Sequence, residues 1–400
     1  MMNSVKTSQV ALGSLRPTTN SIRVTTSRTP LRSLCQHAGK RTAYITKTSH
    51  SPMGAGFQKA SFNNKLIERR AWSYNSTRSM HSVATKISSA VTNGQASYST
   101  EATAAGEPTI HAVFETKTGT WQYVVADPST SAAVIIDPVL DYDPAALAVT
   151  TSAADTLLKL VKEKSYKVDR ILETHAHADH LTAASYLQNR LTQEYGHKPS
   201  IGIGKRIGEV QKLFGRRYAV PQEEYSVVFD KLFDDDEQFK IGNLVATAMH
   251  LPGHTPDHLG YKVGDNVFCG DSLFHADIGT ARCDFPGGSA HSLFKSGRKL
   301  LSLPDHVKIW TGHDYPPEDR KTPMPWMSVQ DHKRQNKHLR DGITEEEFVS
   351  VRQERDAKLA EPRLLHQSLQ INIRAGHLPK PTEAGHRMLH VPLKLKDVKW

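Results

Sequence analysis

Residues 174–180 read Thr174-His175-Ala176-His177-Ala178-Asp179-His180, placing three imidazoles and a carboxylate within six positions. Neutral imidazole is the commonest protein ligand for a transition metal, and an aspartate adds the anionic oxygen that offsets a divalent charge. His175 and His177, two apart in an extended loop, can point in a common direction, while Asp179 and His180 turn toward a neighbouring position. A lone histidine is most simply a satisfied core residue; three at this spacing point to a shared cation. Three further candidates stand alone: His254 in Leu251-Pro252-Gly253-His254, Asp271 after Gly270, and His313 after Gly312. Each follows a run with strand character, and the adjacent glycine lets backbone come close. Loops at one edge of a sheet, carrying ligands on a rigid scaffold, are where enzymes build sites. A metal held there can activate water and polarise a carbonyl, so the ligands by themselves predict hydrolysis.

The elements that must position these residues follow from periodicity. Strands are predicted at His111–Glu115, Trp121–Ala126, Ala133–Asp137 and Lys167–Thr174, with helices at Asp155–Lys164 and Leu181–Glu194. A second β-rich run covers Asn243–Leu251, Leu259–Val263, Asn266–Cys269 and Lys308–Thr311, with helices at Ser289–Leu301 and Glu345–Leu359. The acidic triplet Glu345-Glu346-Glu347 suits a helix N-terminus. Two β-rich halves with helices outside imply two sheets packed face to face and covered on both sides. Folded sequence is expected from near Pro108, giving a leader and linker at 1–105, a catalytic domain at 106–340 and a wrapping tail at 341–400. Within the tail, Leu369–Ile373 reads as strand-like.

Charge narrows the function classes. Residues 1–100 hold 14 Lys and Arg against the single acid Glu68, a net of +13, which leaves −3 for the other 300 residues. The body therefore lacks the basic surplus that tracking a phosphate backbone needs, and nucleic acid is not an expected partner. No run of eighteen apolar residues occurs, so no membrane-spanning helix is expected. The first hundred residues also carry thirty Ser and Thr. Arg-rich, Ser-rich and nearly acid-free is the composition of an organelle transit peptide, and Arg16, Arg23, Arg28 and Arg32 are spaced to give a transient helix a basic face. The mitochondrial matrix is the favoured address; a disordered cytosolic tail is the alternative. Cys35, Cys269 and Cys283 are too few for a disulfide framework.

The ordered set of HxHxDH, then a His, an Asp and a final His resembles the metallo-β-lactamase superfamily. That resemblance implies an α/β fold, an αββα sandwich of two mixed sheets flanked by helices. In two-metal members His175, His177 and His254 would hold one ion, Asp179, His180 and His313 the other, with Asp271 bridging. Three blocks narrow the resemblance: Gly270–Phe274 (GDSLF), Gly279–Gly288 (GTARCDFPGG) and Gly312–Tyr315 (GHDY). With the tail Ser368–Pro379, they are similar to the persulfide dioxygenases, and within these to the bacterial type also labelled β-lactamase-hydrolase-like. The likeness runs from about Ile110 to Leu393. It implies a single Fe(2+) held by His175, His254 and Asp271, with His177, Asp179, His180 and His313 orienting ligands and water. It also implies oxidation of glutathione persulfide by O2 and water to sulfite and glutathione.

For the substrate, Arg282 is the candidate for a glutathione carboxylate because a guanidinium fork matches that group; an ion pair with Asp284 is the alternative. Tyr315 can donate a hydrogen bond near the metal or simply pack. Asp257, His258, His275 and Asp277 read as solvated loop residues, and Cys283 receives no catalytic role. The competing function is a glutathione thioester hydrolase of the glyoxalase II kind with two Zn(2+). A homodimer is compatible with either.

Overall fold

The computed structural model describes residues 87–92, 95–100 and 105–396. The transit-peptide reading, with its arginines and Cys35, lies outside the described residues. In the first half of the chain the strands are β1 (Ile87–Thr92), β2 (Gln95–Thr100), β3 (Thr109–Glu115), β4 (Thr120–Ala126), β5 (Ala132–Ile136), β6 (Val139–Asp143) and β7 (Ala148–Thr150). They are followed by α1 (Ser152–Glu163), β8 (Lys167–Leu172), β9 (Leu181–Thr182), α2 (Ala184–Tyr195), β10 (Ser200–Gly204), α3 (Ile207–Arg217) and β11 (Lys231–Phe233). The second half contributes β12 (Glu237–Ile241), β13 (Leu244–His250), β14 (Leu259–Val263), β15 (Asn266–Phe268), α4 (Ala290–Leu301), β16 (Lys308–Trp310) and β17 (Trp326–Ser328). Helices α5 (Val329–Gln335), α6 (Glu345–Asp356) and α7 (Leu365–Asn372) complete it.

Eight strands form one sheet in the order β1-β2-β3-β4-β5-β8-β10-β11, six form a second, β12 through β17 in sequence order, and β7-β6-β9 form a small third. The two large sheets are mixed: β5, β8, β10 and β11 run parallel to one another in the first, as do β15 and β16 in the second. Their remaining pairings are antiparallel. Strand β4 shows why the sheets stack. Alternate side chains point to opposite faces of a strand. Trp121, Tyr123 and Val125 therefore meet Phe268, Tyr261 and Trp310 of the other sheet, while Val124 and Ala126 face helices. Tyr123 packs 5.0 Å from the Phe268 ring and edge-on to Trp310.

The helices bury one stripe each. Ala154, Leu157 and Val161 of α1, with Leu187 and Leu191 of α2, cover the outer face of the first sheet. Leu293 and Leu300 of α4, with Phe348 of α6, cover the second. Helix α4 begins where Ser289 accepts the Ser292 N–H, and α6 begins on a capping box between Thr344 and Glu347. The expected αββα layering is present. No helix among the described residues is long and apolar enough to cross a membrane.

Two expectations need correction. The sheet starts before Pro108: β1 pairs with β2 and β2 with β3, both antiparallel. Residues 87–92 and 95–100 thus belong to the fold and not to a linker. These Ser- and Thr-rich strands join an edge through backbone hydrogen bonds, so they show little of the apolar alternation that marks an interior strand. The tail segment Leu369–Ile373 is helical or follows directly on α7. Leu365, Leu369 and Ile373 recur every four residues and pack together on α3, a helical spacing that outweighs the β-branched residues.

Candidate metal centre

The chain leaves β8 and immediately enters the histidine loop. Asp137, just past β5 and held at φ +50°, accepts the Thr174 N–H at 2.7 Å and the Thr174 hydroxyl at 2.8 Å. His175 Nδ1 lies 3.0 Å from that hydroxyl oxygen. Because the hydroxyl proton goes to Asp137, the ring N–H donates to Thr174 and leaves the His175 Nε2 lone pair free. His177 is turned the other way: its Nε2 sits 3.1 Å from Asp137 and 3.2 Å from Glu173, so Nδ1 faces inward. His180 Nδ1 is 3.2 Å from the Leu181 carbonyl, and His254 Nδ1 is 2.8 Å from the Arg282 carbonyl. His313 Nδ1 lies 3.3 Å from the Thr120 hydroxyl. Each ring has one nitrogen tied outside and the other aimed at a common space, the arrangement by which outer partners orient metal ligands.

The inward atoms form two groups, in each of which all ligand atoms lie within 4.8 Å of one another. One is His175, His254 and Asp271; the other is His177, Asp179, His180 and His313. His177 thus sits with the second group, whereas the two-metal scheme from the sequence placed it with His175 and His254. His254 Nε2 is 3.6 Å from Asp271, and His313 Nε2 is 3.3 Å from Asp179 and 3.5 Å from Asp271. All seven residues named from the sequence are brought together.

The donor set fits a metal ion. His175 Nε2, His177 Nδ1, His180 Nε2, Asp179 Oδ2 and Asp271 Oδ1 are buried with no hydrogen-bond partner, a costly arrangement unless a cation receives them. Burial, reinforced by His177, His258 and His254, drives the His175 pKa well below the usual value. Burial and His177 push His180 down to about 3. Both rings are therefore neutral and able to coordinate. Burial opposes ionisation of Asp179, but His313 and His180 outweigh it and hold the carboxyl at about 2. His177 and His313 differ: burial lowers each, but Asp137 and Glu173 outweigh it for His177, and Asp271 and Asp179 for His313. Both are therefore raised and hold a proton that an incoming cation would displace.

Gly270 and Gly312 let the strand ends converge. Gly270 has φ +48°, and a Cβ there would lie 2.6 Å from Thr174 Oγ1 and 2.9 Å from His258 Nε2. A Cβ on Gly312 would lie 2.5 Å from Asp271 Oδ1.

A cavity of about 320 Å³ opens beside the ligands, with Asp179, His254, Asp271 and His313 at one end. Phe274, Ile278, Leu359 and Pro362 supply apolar wall, and Tyr315 stacks on His313 at 5.7 Å while remaining 52 % exposed. Arg282 also lines it, but both arms of its fork grip Asp284 and its third nitrogen donates to the Ala360 carbonyl. The ion-pair alternative describes this side chain. Sequence reasoning missed Arg355 and Arg363, exposed residues of the same cavity that form no ion pair with another described residue. Their only sequence signal is a surplus of arginine after residue 351, with no spacing to single them out.

Asp257 and His258 are not solvated. Asp257 is buried and accepts the Ala176 N–H at 2.9 Å; His258, 0 % exposed, stacks on His175 and accepts the Asp271 N–H at 3.0 Å. His275 and Asp277 pair with one another, and Asp277 also pairs with Arg320. Burial pushes the Cys283 thiol up to about 12, in keeping with no nucleophilic role.

Comparison with known proteins then decides the family. The profile described as the metallo-beta-lactamase superfamily matches residues 116–313. A probable metallo-hydrolase of Burkholderia pseudomallei is 42% identical over 71% of this chain and 99% of its own length. The chain belongs to the metallo-β-lactamase superfamily. The mitochondrial persulfide dioxygenase ETHE1 of Bos taurus is a more distant relative, 27% identical over 70% of this chain and 94% of its own. The crystal structure of ETHE1 from Myxococcus xanthus superposes with a TM-score of 0.54 at 27% identity, covering 67% of this chain and 99% of that one. The superfamily binds metal ions, and the cluster above is a His and Asp set able to hold one.

Proposed function

We propose that this superfamily member is an iron-dependent persulfide dioxygenase that converts glutathione persulfide, O2 and water to sulfite and glutathione. The observation that carries the reading is the grouping of His175, His254 and Asp271, two imidazoles and one carboxylate facing a cavity. Two His and one carboxylate with open positions is the pattern of non-haem Fe(II) oxygenases. Iron bound there would supply redox chemistry and a common meeting point for O2 and a soft, anionic sulfur. The residues of the chain do the rest. The Thr174 hydroxyl and the Arg282 carbonyl each accept from Nδ1, which turns Nε2 of His175 and His254 toward the metal space. His177, Asp179, His180 and His313 orient the neighbouring space, and His313 Nε2 can hold a proton between Asp179 and Asp271. Arg355 and Arg363 would face the carboxylates of the glutathionyl group, in place of Arg282. The basic leader suits the mitochondrial matrix.

A second reading is favoured by the other group. His177, Asp179, His180 and His313 also converge within 4.8 Å and could hold a second ion, as a Zn(2+)-dependent glutathione thioester hydrolase requires. Metal analysis and two assays separate the readings. One iron per chain, O2 uptake on glutathione persulfide and sulfite formation support the dioxygenase. Two zincs with S-lactoylglutathione cleavage and no O2 uptake would replace it with the hydrolase. His254→Ala should abolish iron retention and sulfite production together, and full iron occupancy in that variant would refute the ligand assignment.

A further inference from the structure

The superfamily profile stops at residue 313, yet two helices beyond it reach back to the metal centre. Asn372, the last residue of α7, is 3 % exposed. Its Nδ2 donates to the His177 carbonyl at 2.7 Å and the His180 carbonyl at 2.8 Å, and its Oδ1 accepts the Thr182 N–H at 2.9 Å. A carboxamide offers two donor hydrogens and one acceptor oxygen, and here both ends serve a single loop. That loop carries His177, Asp179 and His180.

Arg352, in α6, is 1 % exposed and grips the other side of the centre. Its Nη1 donates to the Ala281 carbonyl at 2.6 Å and the Thr280 carbonyl at 3.0 Å. The next carbonyl along, that of Arg282, is the one bonded to His254 Nδ1. One turn later on the same helix, Asp356 accepts the Cys283 N–H at 2.8 Å. Residues 280–283 are therefore held at both ends by one face of α6, with the acceptor for His254 between the two grips.

Attachment of the helices alone does not require these groups. Phe348 and Val349 already anchor α6, and Leu365, Leu369 and Ile371 anchor α7. Burying a guanidinium or a carboxamide costs more than burying an apolar side chain of similar size, whereas hydrogen bonds fix a direction that apolar contact does not. We infer that Asn372 and Arg352 are positioning residues of the metal centre, the first setting the His177–His180 loop and the second the carbonyl that orients His254. The inference rests on the reading of the cluster as a metal site.

The test uses the full chain, stripped of metal and reloaded with Co(II), whose visible bands report ligand geometry. Asn372→Leu and Arg352→Met should weaken Co(II) binding about 10- to 100-fold in competition with a chelator. At saturation both should also shift the bands. Asn372→Asp removes both donated bonds at nearly constant shape and should behave like Asn372→Leu; it is the variant to read if the leucine chain does not fold. Leu369→Ala, in the same helix without a polar contact to the loop, should lower the thermal midpoint but keep wild-type affinity and bands. Asn372 and Arg352 variants that match Leu369→Ala, losing stability with affinity and spectrum unchanged, would overturn the inference. Failure of the wild-type chain to bind Co(II) would instead refute the metal reading itself, and the inference with it.

Discussion

The reassignment from Arg282 to Arg355 and Arg363 gives the sharpest kinetic prediction. The perturbation is Arg355→Met and Arg363→Met, singly and together, which removes charge while keeping some of the apolar stem. Hydrogen bonds to charged groups contribute about 1.5–3 kcal/mol when well formed, and exposed ion pairs about 0–1 kcal/mol. Both guanidinium groups are exposed at the mouth of the cavity, so a loss of about 1–2 kcal/mol is expected for each, near the middle of that span. This corresponds to a ~5- to 30-fold rise in KM. A carboxylate contact remote from the reacting sulfur is made equally in ground and transition states, so kcat should hold. Arg282→Met should move KM less than either, because its fork is already occupied by Asp284 and the Ala360 carbonyl. The assay is initial O2 uptake against glutathione persulfide concentration, with S-lactoylglutathione hydrolysis as the parallel measurement. The carboxylates are the same in both substrates, so the KM shift does not depend on which chemistry follows. The reasoning fails if Arg282→Met raises KM more than Arg355→Met and Arg363→Met do.

Two stability predictions test the scaffold. Burial, with a smaller contribution from Lys164, lowers the His111 pKa from 6.5 to about 4 while its ring nitrogens bond Ser99 and Tyr166. Between those values the unfolded chain binds a proton that the folded chain refuses, so stability is complete above 6.5 and declines toward pH 4. His111→Gln should remove about 1.4 kcal/mol per pH unit from the slope of unfolding free energy over that interval, and identical slopes would contradict the assignment. The Tyr123 hydroxyl donates to the Thr311 carbonyl at 2.5 Å, deep between the sheets. Tyr123→Phe should cost about 1–2 kcal/mol in urea unfolding, and an unchanged midpoint would show that the carbonyl finds another donor.

What could be read from the sequence was local. The histidine motif, His254, Asp271 and His313 each stand just beyond a strand that period-two alternation reveals, and all seven converge. What escaped is carried by long separations. Asn372 touches a loop 192 residues earlier, and Arg352 a loop 71 residues earlier, with no spacing pattern to connect them. Asp137 escaped too, since it reads only as the last residue of a strand until Thr174 and His177 are seen against it. His258 was misread because polar residues in a loop are ordinarily hydrated, whereas this one is sealed between His175 and the backbone of Asp271. Strands β1 and β2 were passed over because pairing at an edge demands little of their side chains.

The crowding at Gly270 and Gly312 divides the pocket into a floor and a rim with different freedoms. Where even a methyl group would collide with Asp271, Thr174 or His258, a side chain cannot be accommodated without moving a ligand or a group that holds one. The rim, built from Leu359, Arg355 and Arg363 on the C-terminal segment, has no such restriction. New substrate preferences in this scaffold must therefore be written along the entrance, leaving the inorganic chemistry beneath them as it is.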